Sequence, residues 1–400
     1  MRDFLPADKA RREVVLGVIR DVYRAHGFDE IETPVMEDSS RLHAGLGGDN
    51  EKLAFGVLKR GLTTDDLRSA TDALELADLG LRFDLTVPLA RFYATHRSEL
   101  PSVFRSIQIG SVWRAERPQK GRFRQFVQCD IDIIGEAGPL AEAELITATQ
   151  AALTALGLSD CSIRINDRRI LTGLLSHWGV PADLQERALI TIDKLDKIGP
   201  AGVAAELAEL GIATDGLADA LAVKGWDLLD AAPEWLDRDA YQQLLELRSA
   251  VPNATLEFDP TLVRGMGYYT GTIFEVAHPS LGYSLGGGGR YDGMIGRFLG
   301  ADVPATGFSL GFERLADLVE LPVAEGEEAV ALLHDRGADP AALVALKASL
   351  IAEGKRVRLE PRVKNMRLLL DQLAASGYTH FATATDATTA DTLELRPLGS

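Results

Sequence analysis

FRSIQIGSVWRAERPQKGRFRQFVQCDIDIIG, residues 104–135, is the stretch whose reading decides the fold. Residues 104–116 and 123–135 alternate apolar with polar side chains, as half-buried strands do. The turn-rich RPQKGR joins them, so the whole reads as one long hairpin. Arg114, Glu116, Arg122, Arg124, Phe126, Gln128, Asp130 and Asp132 share even parity. Along a regular strand such residues alternate onto one face. Arginines, an aromatic ring and carboxylates on a face suit a nucleotide. Arginine clamps phosphate bidentately, Phe126 can stack on a purine, and Glu116 can accept from an exocyclic amine. A salt-bridged surface sheet has the same spacing, and parity alone does not choose between the two.

Charge sharpens the choice. The chain of 400 residues carries a formal net charge of −17, which argues against broad nonspecific binding to nucleic acid. Residues 105–124 run the other way. They hold Arg105, Arg114, Arg117, Lys120, Arg122 and Arg124 against the single acid Glu116. A basic cluster in an acidic protein points to a polyanion such as a phosphate ligand, with a solvated basic hairpin as the alternative. With 46% hydrophobic and 25% charged residues, the composition is that of an ordinary globular protein of two or three domains. No apolar run is long enough to span a membrane, and the N-terminus lacks the apolar core of a signal peptide. Cys129 and Cys161 have no metal-ligand spacing, and the seven histidines form no helical pair, so no protein-held metal is expected. Two isolated cysteines fit a reduced, cytoplasmic setting.

Outward from the hairpin, residues 7–26 read as an amphipathic helix stopped by Gly27. FDEIETPVME (28–37) reads as a strand, and LRFDLTVPLARFYA (81–94) as a strand running into a helix. A helix follows the hairpin at about 138–156, then the short strand SIRIND (162–167). Residues from about 168 to 252 are rich in leucine and alanine with helical periodicity, and read as a helical insertion. Strands resume at 255–259 and 270–276, and PATGFSLGFERLADLVE (304–320) reads as strand into helix. After the polar VAEGEE, residues 328–400 alternate strand and helix, predicting a small α/β domain whose last strand is TLELRPL.

Three more constellations carry chemistry. LVRGMGYYTGTIFEV (262–276) sets Arg264 beside Gly265 and Gly267, where backbone can approach a ligand, and adds the hydroxyls of Tyr268 and Tyr269. A packed turn has the same look. SLGGGGRYDG (284–293) reads as a loop without side-chain bulk, and it is not a phosphate-binding P-loop because no Gly-Lys-Ser/Thr follows. GFSLGFERL (307–315) delivers Arg314 near a helix start, where an arginine is usually structural.

Taken together and in this order, these segments resemble the class II aminoacyl-tRNA synthetases over about residues 1–320, and within that class the histidyl-tRNA synthetase family. FDEIETPVME is similar to motif 1, the 104–135 hairpin to motif 2, and GFSLGFERL to motif 3. LVRGMGYYTGTIFE and SLGGGGRYDG are similar to the two histidine motifs, and LRFDLTVPLAR, RINDRRIL and DKLDKIG to further family segments. The resemblance implies an α+β catalytic domain over 1–322, an antiparallel sheet flanked by helices with the insertion at about 168–252. It also implies that 328–400 is a shortened anticodon-binding domain. It implies that histidine is activated by ATP as an acyl-adenylate and passed to tRNA(His), with Mg2+ bridging the phosphates. Arg114 is then expected at the α-phosphate, Glu116 at the adenine amine, Phe126 on the adenine face and Arg314 at the γ-phosphate, with Arg122 a further ATP-binding residue. Arg264 is expected to stabilise charge at the α-phosphate during attack. Asp84, Thr86, Gln128, Asp132, Tyr268 and Tyr269, together with Arg264, are expected to bind histidine, whose ring nitrogens need polar partners.

The chain departs from the family in two places. Gly267 stands where the Arg-Gly-Leu-Asp-Tyr-Tyr motif has aspartate. The tail resembles a truncated anticodon-binding domain, whose Lys355, Arg356, Arg358, Arg362, Lys364 and Arg367 could touch RNA or form a solvated face. The shortened tail keeps open a paralogue that hands histidyl-adenylate to a non-tRNA acceptor. A non-catalytic regulatory subunit of ATP phosphoribosyltransferase is the third alternative. The similarity of 28–37 to motif 1 implies a homodimer.

Overall fold

The computed structural model describes residues 1–43, 52–117, 121–212, 225–229, 233–264, 269–320 and 328–398. Residue proximity divides the chain into two compact units: Met1 with Gly17–Val319, and Arg2–Leu16 with Glu320–Ser400.

The first unit is built on the hairpin. Strands β5 (Phe104–Trp113) and β6 (Gln125–Ile134) pair antiparallel over their full length, from Phe104 opposite Ile134 to Trp113 opposite Gln125. They lie within an eight-stranded sheet of order β1-β5-β6-β11-β10-β9-β7-β8. Here β1 is Asp29–Glu30, β7 Ser162–Asp167, β8 Leu256–Phe258, β9 Thr272–Ala277, β10 Gly286–Arg290 and β11 Ala305–Gly311. The six central strands are antiparallel; β1 and β8 add a parallel strand at each edge. Alternation along β6 works as the pattern requires. Cys129, Ile131 and Ile133 are wholly buried, while Gln128, Asp130 and Asp132 form the other set. The second set is buried too, which marks a polar interior rather than a wet face.

Helices flank this sheet. Helix α1 (Pro6–Ala25), of which the residues from Gly17 belong to this unit, buries Ile19 and Tyr23 there at four-residue spacing and stops at Gly27, whose φ is +85°. Helices α2 (Ser39–Leu42) and α3 (Thr64–Ser69) accompany a small antiparallel sheet of order β2-β4-β3, with β2 Met36–Asp38, β3 Phe55–Leu58 and β4 Ala77–Leu81. Helix α4 (Thr86–His96) follows β4, and α5 (Leu140–Ala155) packs on β6 and β11. The helical segment after β7 contains α6 (Arg168–His177), α7 (Gln185–Ile192), α8 (Leu195–Glu209) and α9 (Arg238–Ala250). Helix α8 breaks at Gly199, φ 71°, because Pro200 cannot continue the ladder and excludes α geometry from its predecessor. Helices α10 (Asp292–Leu299) and α11 (Phe312–Ala316) follow β10 and β11.

In the second unit, β12 (Ala329–His334) is flanked in parallel by β13 (Arg356–Pro361) and β14 (His380–Ala384), with β15 (Arg396–Pro397) antiparallel at the edge. Val330 and Leu332 join one core with Leu343, Leu346 and Leu350 of helix α12 (Pro340–Ala352). Ala331 and Leu333 join another with Leu373 of α13 (Met366–Ala375). A sheet covered on both faces explains why AVALL reads as a continuous apolar run.

Three expectations need correction. FDEIETPVME is not one strand: 29–30 joins the large sheet and 36–38 the small one, divided around Pro34, which has no amide hydrogen to donate to a ladder. TLELRPL is mostly loop; only Arg396 and Pro397 pair. The glycine run is no loop: Gly286–Arg290 is a central strand, paired with β9 and β11. Glycine weakens a strand, and here each one is needed because a neighbour occupies the side-chain space. A Cβ at Gly288 would overlap Gly307 O, and one at Gly286 would sit 2.5 Å from Ser309 O.

Candidate active site

The bare backbone of β10 opens a cavity of about 490 Å³ over the sheet. Its lining brings together Asp84, Thr86, Arg114, Glu116, Arg122, Phe126, Gln128, Asp132, Arg264, Tyr269 and Arg314, which the sequence had placed on separate segments. Tyr268, with Gly265 and Gly267, lies outside the described residues. Arg124 does not join the lining; it is exposed, and its Nε donates to Glu116 O at 3.2 Å. The parity rule fails there because β6 begins only at Gln125.

Four arginines line the cavity. Arg314, the third residue of short α11, is aimed by Nε donating to Gly121 O (3.2 Å) and Nη1 donating to Ser284 O (2.5 Å). Burial holds its guanidinium below the usual range, and nearby Arg122 adds to this. Arg122 donates to Glu116 Oε2 at 3.3 Å, and Arg114 is fixed by donation from Nε to Phe83 O at 3.0 Å. The Arg114 guanidinium lies 5.1 Å from the centre of the Phe126 ring. Arg264 donates from Nη1 to Glu275 Oε2 at 2.6 Å. Burial opposes its charge, but Glu275, Tyr269 and Asp193 together raise its pKa. Guanidiniums gathered under desolvation strongly favour an anionic ligand.

Buried acids line the same cavity. Asp84 comes from the turn before α4, where its Oδ1 accepts from Val87 N at 3.2 Å. Asp130 and Asp132 project from β6. Burial pushes Asp130 well up, and Asp132 adds to the rise. Burial also pushes Asp132 up to about 7, against the hydrogen bond from Tyr291 that lowers it. Gln128 donates from Nε2 to Ser309 Oγ at 2.8 Å, while its Oε1 is buried and accepts no hydrogen bond. A buried acceptor left over among three carboxylates suits a cationic, hydrogen-rich ligand. Gly307 makes room for this set, since a Cβ there would overlap Asp132 Oδ1.

Arginines and buried acids line one cavity over the glycine strand, and the sequence model for histidyl-tRNA synthetase matches residues 1–315. The chain belongs to the histidyl-tRNA synthetase family. A histidine–tRNA ligase from Leifsonia xyli is 60% identical over 418 aligned positions, covering 100% of this chain and 97% of that relative. A probable histidine–tRNA ligase from Tropheryma whipplei is 43% identical, covering 95% of this chain and 93% of its own length. The solved histidyl-tRNA synthetase from Nostoc sp. PCC 7120 superposes with a TM-score of 0.74 at 28% identity, over 96% of this chain and 90% of that one. A Bacillus halodurans structure described as an ATP phosphoribosyltransferase regulatory subunit/histidyl-tRNA synthetase has a TM-score of 0.75 at 23% identity, over 96% and 97% of the two chains. The fold is that of class II synthetases.

Within this family frame the cavity contains residues that sequence reasoning did not single out. Tyr291, Ser309, Glu313, Asp193 and Lys197 all line it. Nothing local marks Tyr291 or Ser309: Tyr291 stands between Arg290 and Asp292, and Ser309 is one small hydroxyl between Phe308 and Leu310. Asp193 and Lys197 lie in DKLDKIG, a family-like segment within the helical insertion whose individual residues carry no local mark. Glu313 accepts from Val127 N at 3.3 Å, and with Glu116 it offers hard carboxylate oxygen beside the arginines, the donor type magnesium takes. Elsewhere Asp160, Cys161 and His278 bring their ligand atoms within 4.8 Å of one another. There His278 Nδ1 accepts from Ser280 N at 3.2 Å, which puts the proton of a neutral ring on Nε2, facing Asp160. Among the described residues no helix is long and apolar enough to cross a membrane.

Proposed function

We propose that the chain activates L-histidine with ATP and then transfers the histidyl group to tRNA(His). The observation that carries this reading is one cavity lined both by Arg114, Arg122, Arg264 and Arg314 and by the buried acids Asp84, Asp130 and Asp132. ATP fits the arginines. Phe126 stacks on adenine, Glu116 accepts from its amine, Arg114 and Arg122 hold phosphate oxygens, and Arg314 holds the γ-phosphate. Histidine fits the buried acids: Asp84, Thr86, Gln128 and Asp132, with Tyr268 and Tyr269, satisfy its ammonium and ring nitrogens. An analogue without those nitrogens would leave buried polar groups unpaired, which is a strong basis for selection.

In the first step a histidine carboxylate oxygen attacks the α-phosphorus. The bond from that phosphorus to the bridging oxygen breaks, and pyrophosphate leaves with the bond pair. Arg264 and Arg114 neutralise the charge that builds on the α-phosphoryl oxygens, in a site already organised for it. In the second step a ribose hydroxyl of the tRNA terminus attacks the carbonyl carbon and AMP departs. Magnesium would enter with ATP, and the Glu313 carboxylate would hold it, where it would screen phosphate charge. The domain assignment is 1–322 for catalysis and 328–400 for the tRNA, with exposed Lys364 and Arg367 as its contacts. The segment similar to motif 1 makes a homodimer, and two buried cysteines outside any disulfide suit the cytoplasm.

Histidine-dependent exchange of pyrophosphate into ATP tests activation, and charging of purified tRNA(His) tests transfer. Exchange without charging would move the acceptor to another nucleophile. Absence of exchange would leave the regulatory reading.

A further inference from the structure

We propose that Arg164 is a positioning residue for the adenylation step, fixing Arg264 in the cavity through Glu275. The inference rests on the histidine-activating reading above.

Arg264 lies outside any strand, so side-chain contacts rather than a ladder must aim its guanidinium. Two are on the sheet beneath it. One is the backbone of Gly287: a Cβ there would be 2.7 Å from Arg264 Cζ. The other is Glu275, directly opposite Gly287 across β9 and β10. Glu275 is in turn directly opposite Arg164 across β9 and β7. The carboxylate is divided between the two arginines. Its Oε1 accepts from Arg164 Nη1 at 2.9 Å and its Oε2 from Arg264 Nη1 at 2.6 Å.

Arg164 is itself anchored. Its Nε and Nη2 both donate to Asp259 Oδ2, at 3.0 and 2.5 Å. Asp259 Oδ1 accepts from Thr261 N at 3.0 Å and Thr261 Oγ1 at 2.6 Å. Arg164 Nη1 also donates to Asp196 of α8 at 2.6 Å. The pair Arg164 and Asp259 is well shielded, with side chains 14% and 2% exposed, so these contacts are strongly directional. If Arg164 is removed, both oxygens of Glu275 are released to Arg264. A bidentate pair then turns the guanidinium toward the sheet and neutralises the charge meant for phosphate.

A purely structural role for Arg164 would cost stability and leave turnover alone, and this separates the readings. Full-length Arg164→Gln, Arg164→Lys and Asp196→Asn are compared with the parent in histidine-dependent pyrophosphate exchange, alongside thermal unfolding. Arg164→Gln is expected to lower kcat on the order of 10- to 100-fold with little change in KM for histidine, as misplacement of a reacting-site group does. Arg164→Lys recovers part of the loss, because an ammonium still takes Oε1. Asp196→Asn keeps the Arg164–Glu275 link and keeps kcat. If Arg164→Gln fails to fold, Glu275→Gln tests the same link and is expected to lower kcat likewise. A folded Arg164→Gln or Glu275→Gln with parental kcat overturns the inference while the parent's exchange upholds the function. A parent without exchange removes both.

Discussion

Tyr291 donates its phenolic hydrogen to Asp132 Oδ1 at 2.6 Å, and both side chains are buried in the wall of the cavity. The bond joins the residue after the glycine strand to the acid cluster on β6. It holds the carboxylate in place and favours its charged form, which burial disfavours.

The first prediction concerns pH and histidine. A carboxyl pushed up to about 7 loses its charge as pH falls through that value. KM for histidine is therefore expected to rise below neutrality. Tyr291→Phe removes the contact that lowers the pKa, so its rise begins at higher pH than the parent's. Comparing the two proteins from about pH 6 to about pH 8 cancels the titration of free histidine. Superimposable profiles would refute the role given to this bond.

The same carboxyl affects the ligand-free protein. Its folded pKa, about 7, exceeds the ordinary 3.8, so between these values the folded protein binds more protons than the unfolded chain. Stability from this group is full below the lower value and is lost as pH rises through the upper one. Asp132→Asn cannot ionise and still accepts from Tyr291. It is expected to raise the unfolding temperature above pH 7 while abolishing histidine binding. A lower unfolding temperature at pH 8 would contradict this.

Gly287 tests the support beneath Arg264. In Gly287→Ala the new Cβ would approach Arg264 Cζ at 2.7 Å and Phe274 O at 2.8 Å. Backbone cannot yield cheaply, so overpacking should cost about 1–3 kcal/mol of stability. Displacement of Arg264 should lower kcat for exchange by on the order of 100-fold. Arg264→Ala should lower it further. Kinetics combined with denaturant unfolding checks both effects.

Arg314 should separate the two substrates. Its hydrogen bonds to Gly121 O and Ser284 O fix it in the cavity wall from the motif 3 helix. Arg314→Ala is expected to raise KM for ATP roughly tenfold, the worth of a charge-assisted hydrogen bond, with histidine affinity unchanged. Equilibrium binding of histidine alone provides the control.

Much of this was legible because it is local. The hairpin was readable from period-two alternation and its turn, and β11 into α11 from apolar run to charged helix. The even-parity acids of β6 fell on one face as the pleat demands. What was not legible depends on partners distant in sequence. GGGG reads as a loop because propensity belongs to the residue; its strand is dictated by what fills the vacated space, Ser309 O, Gly307 O and Arg264. Glu275 reads as one charge in an apolar strand, and its importance comes from Arg164, 111 positions away. Arg124 shares the even parity without joining the face, because it precedes the strand, which begins at Gln125.

A sheet normally wears two coats of side chains, and over β10 one coat is missing. When substrates settle there, they become part of the domain's own interior, facing bare peptide where a neighbouring protein would have leucines. Amide exchange across residues 286–290 should therefore slow markedly on saturation with histidine and ATP, as if the fold were completed only while it is working.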